Sequence, residues 1–290
     1  MLMLSNKGCR VMKKIFTYGT LPAERNLTVA DIIANKVAGQ KMVQTNAFAT
    51  DEAKAAEQAK MDMLICRGER YDEVRAGAPN TFVTAVMLMS SYTTTNDILT
   101  GAVNYAGRGA DAIMTPRSPM VVEAIAREGI AVQGHVGLVP SLSTSLGGLR
   151  IVGKSADEAI SVFDQMRRLE DAGAFGCEVE CVAQDALAEI RKYSNLVISS
   201  IGSGSAADII FLFMSDLTGD TENPPRHAKA WGELRLIRQK LDEERLNALM
   251  HYRRDVLNGS FPDASVSSSM PENERDKLLE QLEKRRSFHR

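Results

Sequence analysis

The sequence predicts an α/β fold, a (β/α)8 TIM barrel with extra C-terminal helices. Three observations point there. From about residue 28, apolar runs of about six residues alternate with helical segments, the texture of βα units and a parallel sheet. Eight such runs can be counted, enough to close the sheet on itself. The competing architecture, a doubly wound open sheet, usually carries a glycine-rich strand-to-helix turn, and none of good form stands early in this chain. A length of 290 residues also suits one barrel of about 250 residues with additions. The expected layout is an N-terminal extension over 1–26, the barrel over 27–220 and a helical extension over 221–290.

Taken in order, Thr28 caps a helix over Val29–Ala38, with Asp31 in its first turn. Lys41–Thr45 is the first barrel strand, and the alanine-rich Asp51–Lys60 is a helix. Met61–Cys66 and Thr81–Met87 are buried strands. Thr95–Gly107 is a helix closing on glycine. Ala110–Met114 is a strand and Ser118–Glu128 a helix. Gly129–His135 is the fifth strand. Ser155–Gly173 is a long amphipathic helix with apolar residues at Ala159, Ile160, Phe163, Met166 and Leu169. Phe175–Glu180 is the sixth strand, Gln184–Lys192 a helix, Leu196–Ile201 the seventh strand, and the apolar Ile209–Met214 the eighth. From Thr218 a turn-rich linker leads to charged helices within His227–Asn258 and over Pro271–Arg286. The last has its acidic end first and its basic end last, which suits the helix dipole.

Composition narrows the function classes. Hydrophobic residues make up 44% and charged residues 25%, and the formal net charge is −2, so no net basic charge argues for nucleic acid as a partner. No apolar run reaches the length of a transmembrane helix. The N-terminus lacks a continuous apolar segment with a small-residue cleavage site, so no signal peptide is expected. The four cysteines Cys9, Cys66, Cys177 and Cys181 read as thiols in a reducing cytoplasmic setting. Cys177 and Cys181 have the spacing of a metal pair on a helix but no second Cys/His pair beside them.

In α/β barrels the working residues stand at the C-terminal ends of the strands. Those ends give Thr45 and Asn46, then Cys66–Arg70, Met89–Tyr92, Thr115–Ser118, His135, Glu180 and Gly202–Ser205. His135 follows Gly134 and precedes Gly137; the glycines let backbone approach a ligand, and an imidazole there donates a hydrogen bond or moves a proton. The structural alternative is a histidine bonded to a barrel carbonyl. Glu180 sits among Val179, Cys181 and Val182, where lost hydration suits a general base; the alternative is a salt bridge to Arg150 or Arg70. Glu178 lies on the same side of its strand, one layer deeper. Ser203 and Ser205 belong to a GSGS turn read as a small anion cradle or else an ordinary tight turn. Ser141–Ser145 with Gly147 and Gly148 reads as a lid at the mouth or an exposed loop.

These residues carry a resemblance. GHVGLVPS (134–141), LGGLRIVGK (146–154), LEDAGAFGCEVECV (169–182), SIGSGS (200–205), SDLTG (215–219), RAGAPN (75–80) and NGSFPD (258–263) resemble ketopantoate hydroxymethyltransferase, of the phosphoenolpyruvate/pyruvate superfamily, over about residues 27–264. The resemblance implies a (β/α)8 barrel assembled as a homodecamer, acting in pantothenate biosynthesis. It implies transfer of a one-carbon unit from methylenetetrahydrofolate to 3-methyl-2-oxobutanoate, with Mg²⁺ holding the keto acid. The family's base, in its ECVP motif, falls on Glu180, and its GHLGL histidine falls on His135.

Other motifs depart from the family pattern. Its V-G-D-S motif becomes CRGER, so the aspartate falls on Gly68 without a gap or on Glu69 with one insertion. Its A-D-M/L-P-F motif becomes AVMLM, which places Val86 at a metal aspartate. Its V-K-L/I-E-G motif becomes IMTPR, which places Met114 at the lysine and Pro116 at the glutamate. A hard dication needs oxygen ligands, and these side chains offer none beyond Glu69. A keto acid carboxylate would then be held by Arg70, Arg117 or Arg150, with Thr45, Asn46, Ser203 and Ser205 around it. The expectation is an enzyme acting on a small keto acid through an enolate. The alternatives are a different, metal-independent lyase or transferase reaction on the same barrel, or a non-catalytic homologue that binds a metabolite or serves in assembly.

Overall fold

The structure, a computed structural model, describes residues 12–287. Cys9 and the first 11 residues of the segment read for a leader lie outside them. Eight parallel strands close into a barrel: β3 (Met42–Asn46), β4 (Met63–Arg67), β5 (Phe82–Val86), β6 (Ala112–Met114), β7 (Val132–Gly137), β8 (Gly176–Glu180), β9 (Val197–Ile201) and β10 (Ile209–Leu212), with β10 pairing back to β3. Two strands precede the barrel, β1 (Lys13–Phe16) and β2 (Pro22–Arg25), as an antiparallel hairpin. The sequence reading missed it because each strand is short and one starts on proline.

The helices between strands follow the expected order: α1 (Val29–Val37), α2 (Thr50–Gln58), α3 (Tyr71–Gly77), α4 (Thr95–Gly107), α5 (Pro119–Arg127), α6 (Ala156–Asp171), α7 (Gln184–Ile190) and α8 (Met214–Leu217). Thr28 and Asp31 form a reciprocal capping box on α1, as Thr94 and Asp97 do on α4. Helix α3 went unread. It follows directly on a single 3₁₀ turn, Gly68–Arg70, and has no side-chain cap to announce it. The fifth barrel strand starts three residues later than its sequence span because Gly129 takes φ +75° to end α5. The eighth ends early, at Leu212, because Met214 already begins α8.

Side-chain alternation sorts the interior. Leu64, Cys66, Val83, Ala85, Ile113, Cys177, Val179 and Ile198 face the helices in the main core. Their neighbours face inward. Met42, Met63, Phe82, Ala112, Val197 and Ile209 plug the bottom of the barrel. Ile65, Met114, Ile201 and Phe211 form a smaller cluster nearer the top. Cys66 and Cys177 are buried thiols, each pushed up to about 12 chiefly by burial. At the bottom, Asp111 accepts from Arg25 Nε (2.7 Å), Arg75 Nη2 (2.6 Å) and the Val83 amide (2.9 Å), which ties the hairpin to the barrel.

The chain divides into two compact units, up to Gly232 and from Glu233 onward. Residues 218–232 stay with the barrel, where the Trp231 amide donates to the Leu217 carbonyl. The second unit holds α9 (Leu234–Leu257) and α10 (Glu272–Ser287). Among the described residues, no helix is long and apolar enough to cross a membrane.

Candidate active site

The last residues of the first four barrel strands are Asn46, Arg67, Val86 and Met114. All four face inward and line one cavity of about 330 Å³, with Phe48, Phe211 and Glu178 among the other wall residues. On the far strands, β7 and β8 run in register, His135 opposite Glu178 and Gly137 opposite Glu180. Equal parity therefore sends an imidazole and two carboxylates to the same inner surface.

Two glycines make this pairing possible. A side chain on Gly137 (φ +84°) would stand 2.4 Å from the Glu180 carbonyl oxygen, which accepts the Leu138 amide. One on Gly134 would stand 2.4 Å from Leu169 of α6. The glycines flanking His135 thus serve strand and helix packing rather than approach to a ligand. Strand β8 ends on Glu180, and the next residue, Cys181, is a non-glycine residue at φ +48°, a left-handed conformation that costs roughly 1–2 kcal/mol. The bonds from the Cys181 amide to Ile201 and from the Val152 amide to Cys181 hold it there.

His135 Nε2 lies 3.1 Å from Glu180 Oε2 and 3.8 Å from Glu178 Oε1, and its side chain is only 6% exposed. The nearer contact is an ion-pair distance that lies off the line of a good hydrogen bond, so the buried Nε2 is left without one. Burial works against a charged imidazole, but the Glu180 contact and the charges of both glutamates outweigh it, and the His135 pKa is raised. Burial likewise raises the carboxyl pKa of Glu178, more than the nearby imidazole lowers it. The ligand atoms of the three side chains lie within 4.8 Å of one another, close enough to share one cation.

The signs of these shifts give a stability prediction. Both groups hold protons in the folded chain that the unfolded chain releases. For Glu178 the stabilisation is complete below about pH 4.3, and for His135 below about pH 6.5. Both contributions are lost as pH rises through the higher folded values. Glu178→Gln keeps the shape and removes the group that resists ionisation. It is expected to raise Tm at pH 8 by a few degrees and to leave Tm at pH 4 nearly unchanged, as read by circular dichroism melts.

The structure brings Glu180 and His135 together and places Asn46 on the cavity wall. Seven other expected residues stand or are engaged elsewhere. Thr45 has the opposite parity to Asn46, and its hydroxyl donates to the Leu212 carbonyl. Glu69 and Arg70 stand in the exposed 3₁₀ turn outside the cavity lining, with Arg70 paired to Glu73 at 2.7 Å. The Arg117 guanidinium donates to the carbonyls of Met89 and Tyr92 and so latches the loop after β5. The Ser203 hydroxyl is fully buried, bridging the Val179 carbonyl and the Val182 amide. The Ser205 carbonyl accepts from Lys41. The glycines of the GSGS turn face His227 and Gln184, so that turn is a packed corner and not an anion cradle. Arg150 pairs with Glu158, not with Glu180. The residue that sequence reasoning passed over is Arg67. Its signal was its position as the last residue of a barrel strand, within the CRGER run.

Comparison with known proteins now bears on this geometry. The family model for ketopantoate hydroxymethyltransferase matches residues 69–264. The chain belongs to the ketopantoate hydroxymethyltransferase family. A 3-methyl-2-oxobutanoate hydroxymethyltransferase of Hyperthermus butylicus is 30% identical over 284 residues, covering 89% of this chain and 96% of that protein. Its namesake in Desulfotalea psychrophila is 32% identical, covering 82% and 92%. Among solved structures, 2,3-dimethylmalate lyase, a PEP mutase/isocitrate lyase superfamily member, superposes with TM-score 0.50 at 13% identity, covering 88% of this chain and 99% of that one. At that identity the likeness concerns the fold alone. Family membership sharpens the oddity of the cavity wall. The positions that the resemblance assigns to metal ligands are Gly68 or, with one insertion, Glu69, together with Val86 and Pro116. A side chain on Gly68 would run into the Tyr105 ring at 2.6 Å, and Val86 offers no oxygen.

Proposed function

We propose that this family member enolises a small keto acid, the enolate then forming or breaking a carbon–carbon bond. One observation carries the reading: a buried imidazole faces two inward carboxylates beside a cavity sized for a small molecule. The strained Cys181 next to Glu180 supports it, since such backbone clusters at active sites.

The roles follow from environment. The Glu180 carboxylate takes the proton from the carbon next to the keto group, the freed electron pair becomes the enolate double bond, and charge moves to the oxygen. Glu178, on the cavity wall, has its carboxyl pKa raised chiefly by burial, and in its protonated form it donates a hydrogen bond to that oxygen. His135 holds its proton to higher pH than a free imidazole, and its charge stabilises both Glu180 and the enolate. The enolate carbon then recovers a proton, or attacks the methylene carbon of methylenetetrahydrofolate opened to its iminium form; the C=N electron pair moves to nitrogen, and water cleaves the remaining C–N bond to leave the hydroxymethyl group and tetrahydrofolate.

The resemblance implies Mg²⁺. Mg²⁺ takes oxygen ligands in near-octahedral order. Its implied positions here carry valine, proline and either glycine or Glu69, and Glu69 is exposed outside the cavity lining. The His135, Glu178 and Glu180 set supplies one nitrogen among three donors, a better match for a transition metal than for Mg²⁺. The residues do not fit Mg²⁺, and no step above runs through it. With Glu180 and Glu178 assigned as base and hydrogen-bond donor rather than as ligands, a metal-independent reaction on the same barrel is favoured over the family's own.

The substrate class, a place in pantothenate biosynthesis and a cytoplasmic location rest on the family. Assembly into a homo-oligomer has the same basis, supported by Phe16 and Leu21, which stand 73% and 56% exposed on the hairpin. The test is incubation with 3-methyl-2-oxobutanoate in D₂O, followed by mass spectrometry. Deuterium at C3 is expected. No exchange into it or any other short 2-keto acid would reject the enolate reading.

A further inference from the structure

The cavity wall poses a charge problem. A keto acid brings a carboxylate, and Glu178 and Glu180 already supply acidic groups at the strand ends of β8. Without a dication, something cationic must receive the substrate's anionic end. The expected candidates are all spent: Arg70 on Glu73, Arg117 on backbone carbonyls, Arg150 on Glu158.

Arg67 is not spent. It ends β4 with the inward parity of Met63 and Ile65, lines the cavity, and makes no hydrogen bond or ion pair among the described residues. Its guanidinium carbon lies 5.5 Å from the centroid of the Phe48 ring, a contact that orients the fork and leaves its N–H groups for a ligand. In register beside it stands Val86, and beside that Met114, so the adjoining wall supplies no competing carboxylate. Asn46 completes the corner. Its Oδ1 accepts the Met214 amide at 2.6 Å, which fixes the side chain and leaves the Nδ2 donors unused among the described residues. Read without a gap, CRGER also sets Arg67 on the glycine of the V-G-D-S motif. The chain thus gains a cation one residue from where the metal aspartate is lost.

We propose that Arg67, with Asn46, is the carboxylate anchor of this site, a guanidinium doing the substrate-holding work of the missing dication. This rests on the keto acid reading for the identity of the natural ligand, but not for the anchor itself. A bidentate guanidinium–carboxylate pair fixes orientation as well as affinity, and so aims the α-keto carbon toward the β7–β8 carboxylates.

The test is calorimetric titration of the full chain in EDTA with two probes, 3-methyl-2-oxobutanoate and oxalate, and a neutral control, 3-methyl-2-butanone. Arg67→Ala is expected to weaken both anions roughly 10- to 100-fold, the loss of a charged hydrogen-bonding partner. Arg67→Lys should recover part of that loss, since it keeps the charge but not the fork. The neutral ketone should bind all three proteins alike. Arg67 makes only a ring contact, so melts of the variants should match the parent. Oxalate binding that depends on Arg67, with no binding of the keto acid, would uphold the anchor and reject the keto acid. Anion binding in EDTA unchanged by Arg67→Ala would overturn the anchor. Binding abolished by EDTA and restored by Mg²⁺ would overturn it as well, as would no binding of either anion.

Discussion

Glu180→Gln should abolish deuterium exchange, lowering its rate roughly 10²- to 10⁴-fold, the range that a positioned general base contributes. The substitution keeps the side-chain shape. The Glu180 carbonyl still accepts the Leu138 amide, and the β7–β8 pairing stays intact, so the variant should fold, with Tm lowered only where His135 is charged and has lost its nearer counter-charge. A second consequence separates loss of the base from mere disturbance. Glu180 is the nearer anionic neighbour of His135, and without it the imidazole releases its proton at lower pH. Titration of His135 by NMR should show that fall. Retained exchange would reject Glu180 as the base and shift the role to Glu178, which borders the cavity directly.

Asp111→Ala is expected to cost about 3–5 kcal/mol of stability, the usual penalty for removing one partner from a buried charge network. Asp111 is 7% exposed in its side chain and receives both Arg25, 4% exposed, and Arg75, 16% exposed. Alanine would leave two guanidinium groups side by side with no counter-charge, and the Val83 amide without its acceptor. Urea denaturation followed by circular dichroism measures the loss. Activity at low temperature should survive, because this network lies at the opposite end of the barrel from the cavity. A loss under 1 kcal/mol would mean that the hairpin is not held through this carboxylate.

The barrel was legible because its strands are buried on both faces and read as short apolar runs between capped helices. The capping boxes at Thr28 and Thr94 are short-range chemistry, and local sequence declares them. What stayed hidden depends on contacts between distant segments. Helix α3 has no cap. The starts and ends of strands shifted where Gly129 and Met214 committed neighbouring residues to helices. The pairing of His135 with Glu180 was legible from strand ends alone, because the end of a barrel strand fixes where a side chain goes. The anion-binding residues were not. Thr45 and Asn46 differ by one step of the pleat, which no local feature of the sequence assigns to a face. Arg70 and Arg117 were chosen for their charge, and their partners, a helical glutamate and two loop carbonyls, emerge only when the chain folds. Arg67 had the right position and was overlooked beside a more obvious arginine.

The central claim is that proton removal here needs no dication. The most direct measurement is the rate of deuterium exchange into 3-methyl-2-oxobutanoate before and after exhaustive chelation, followed by Mg²⁺ titration. The account predicts one rate throughout, lost only in Glu180→Gln. Exchange that vanishes with chelation and returns in proportion to added Mg²⁺ would contradict it.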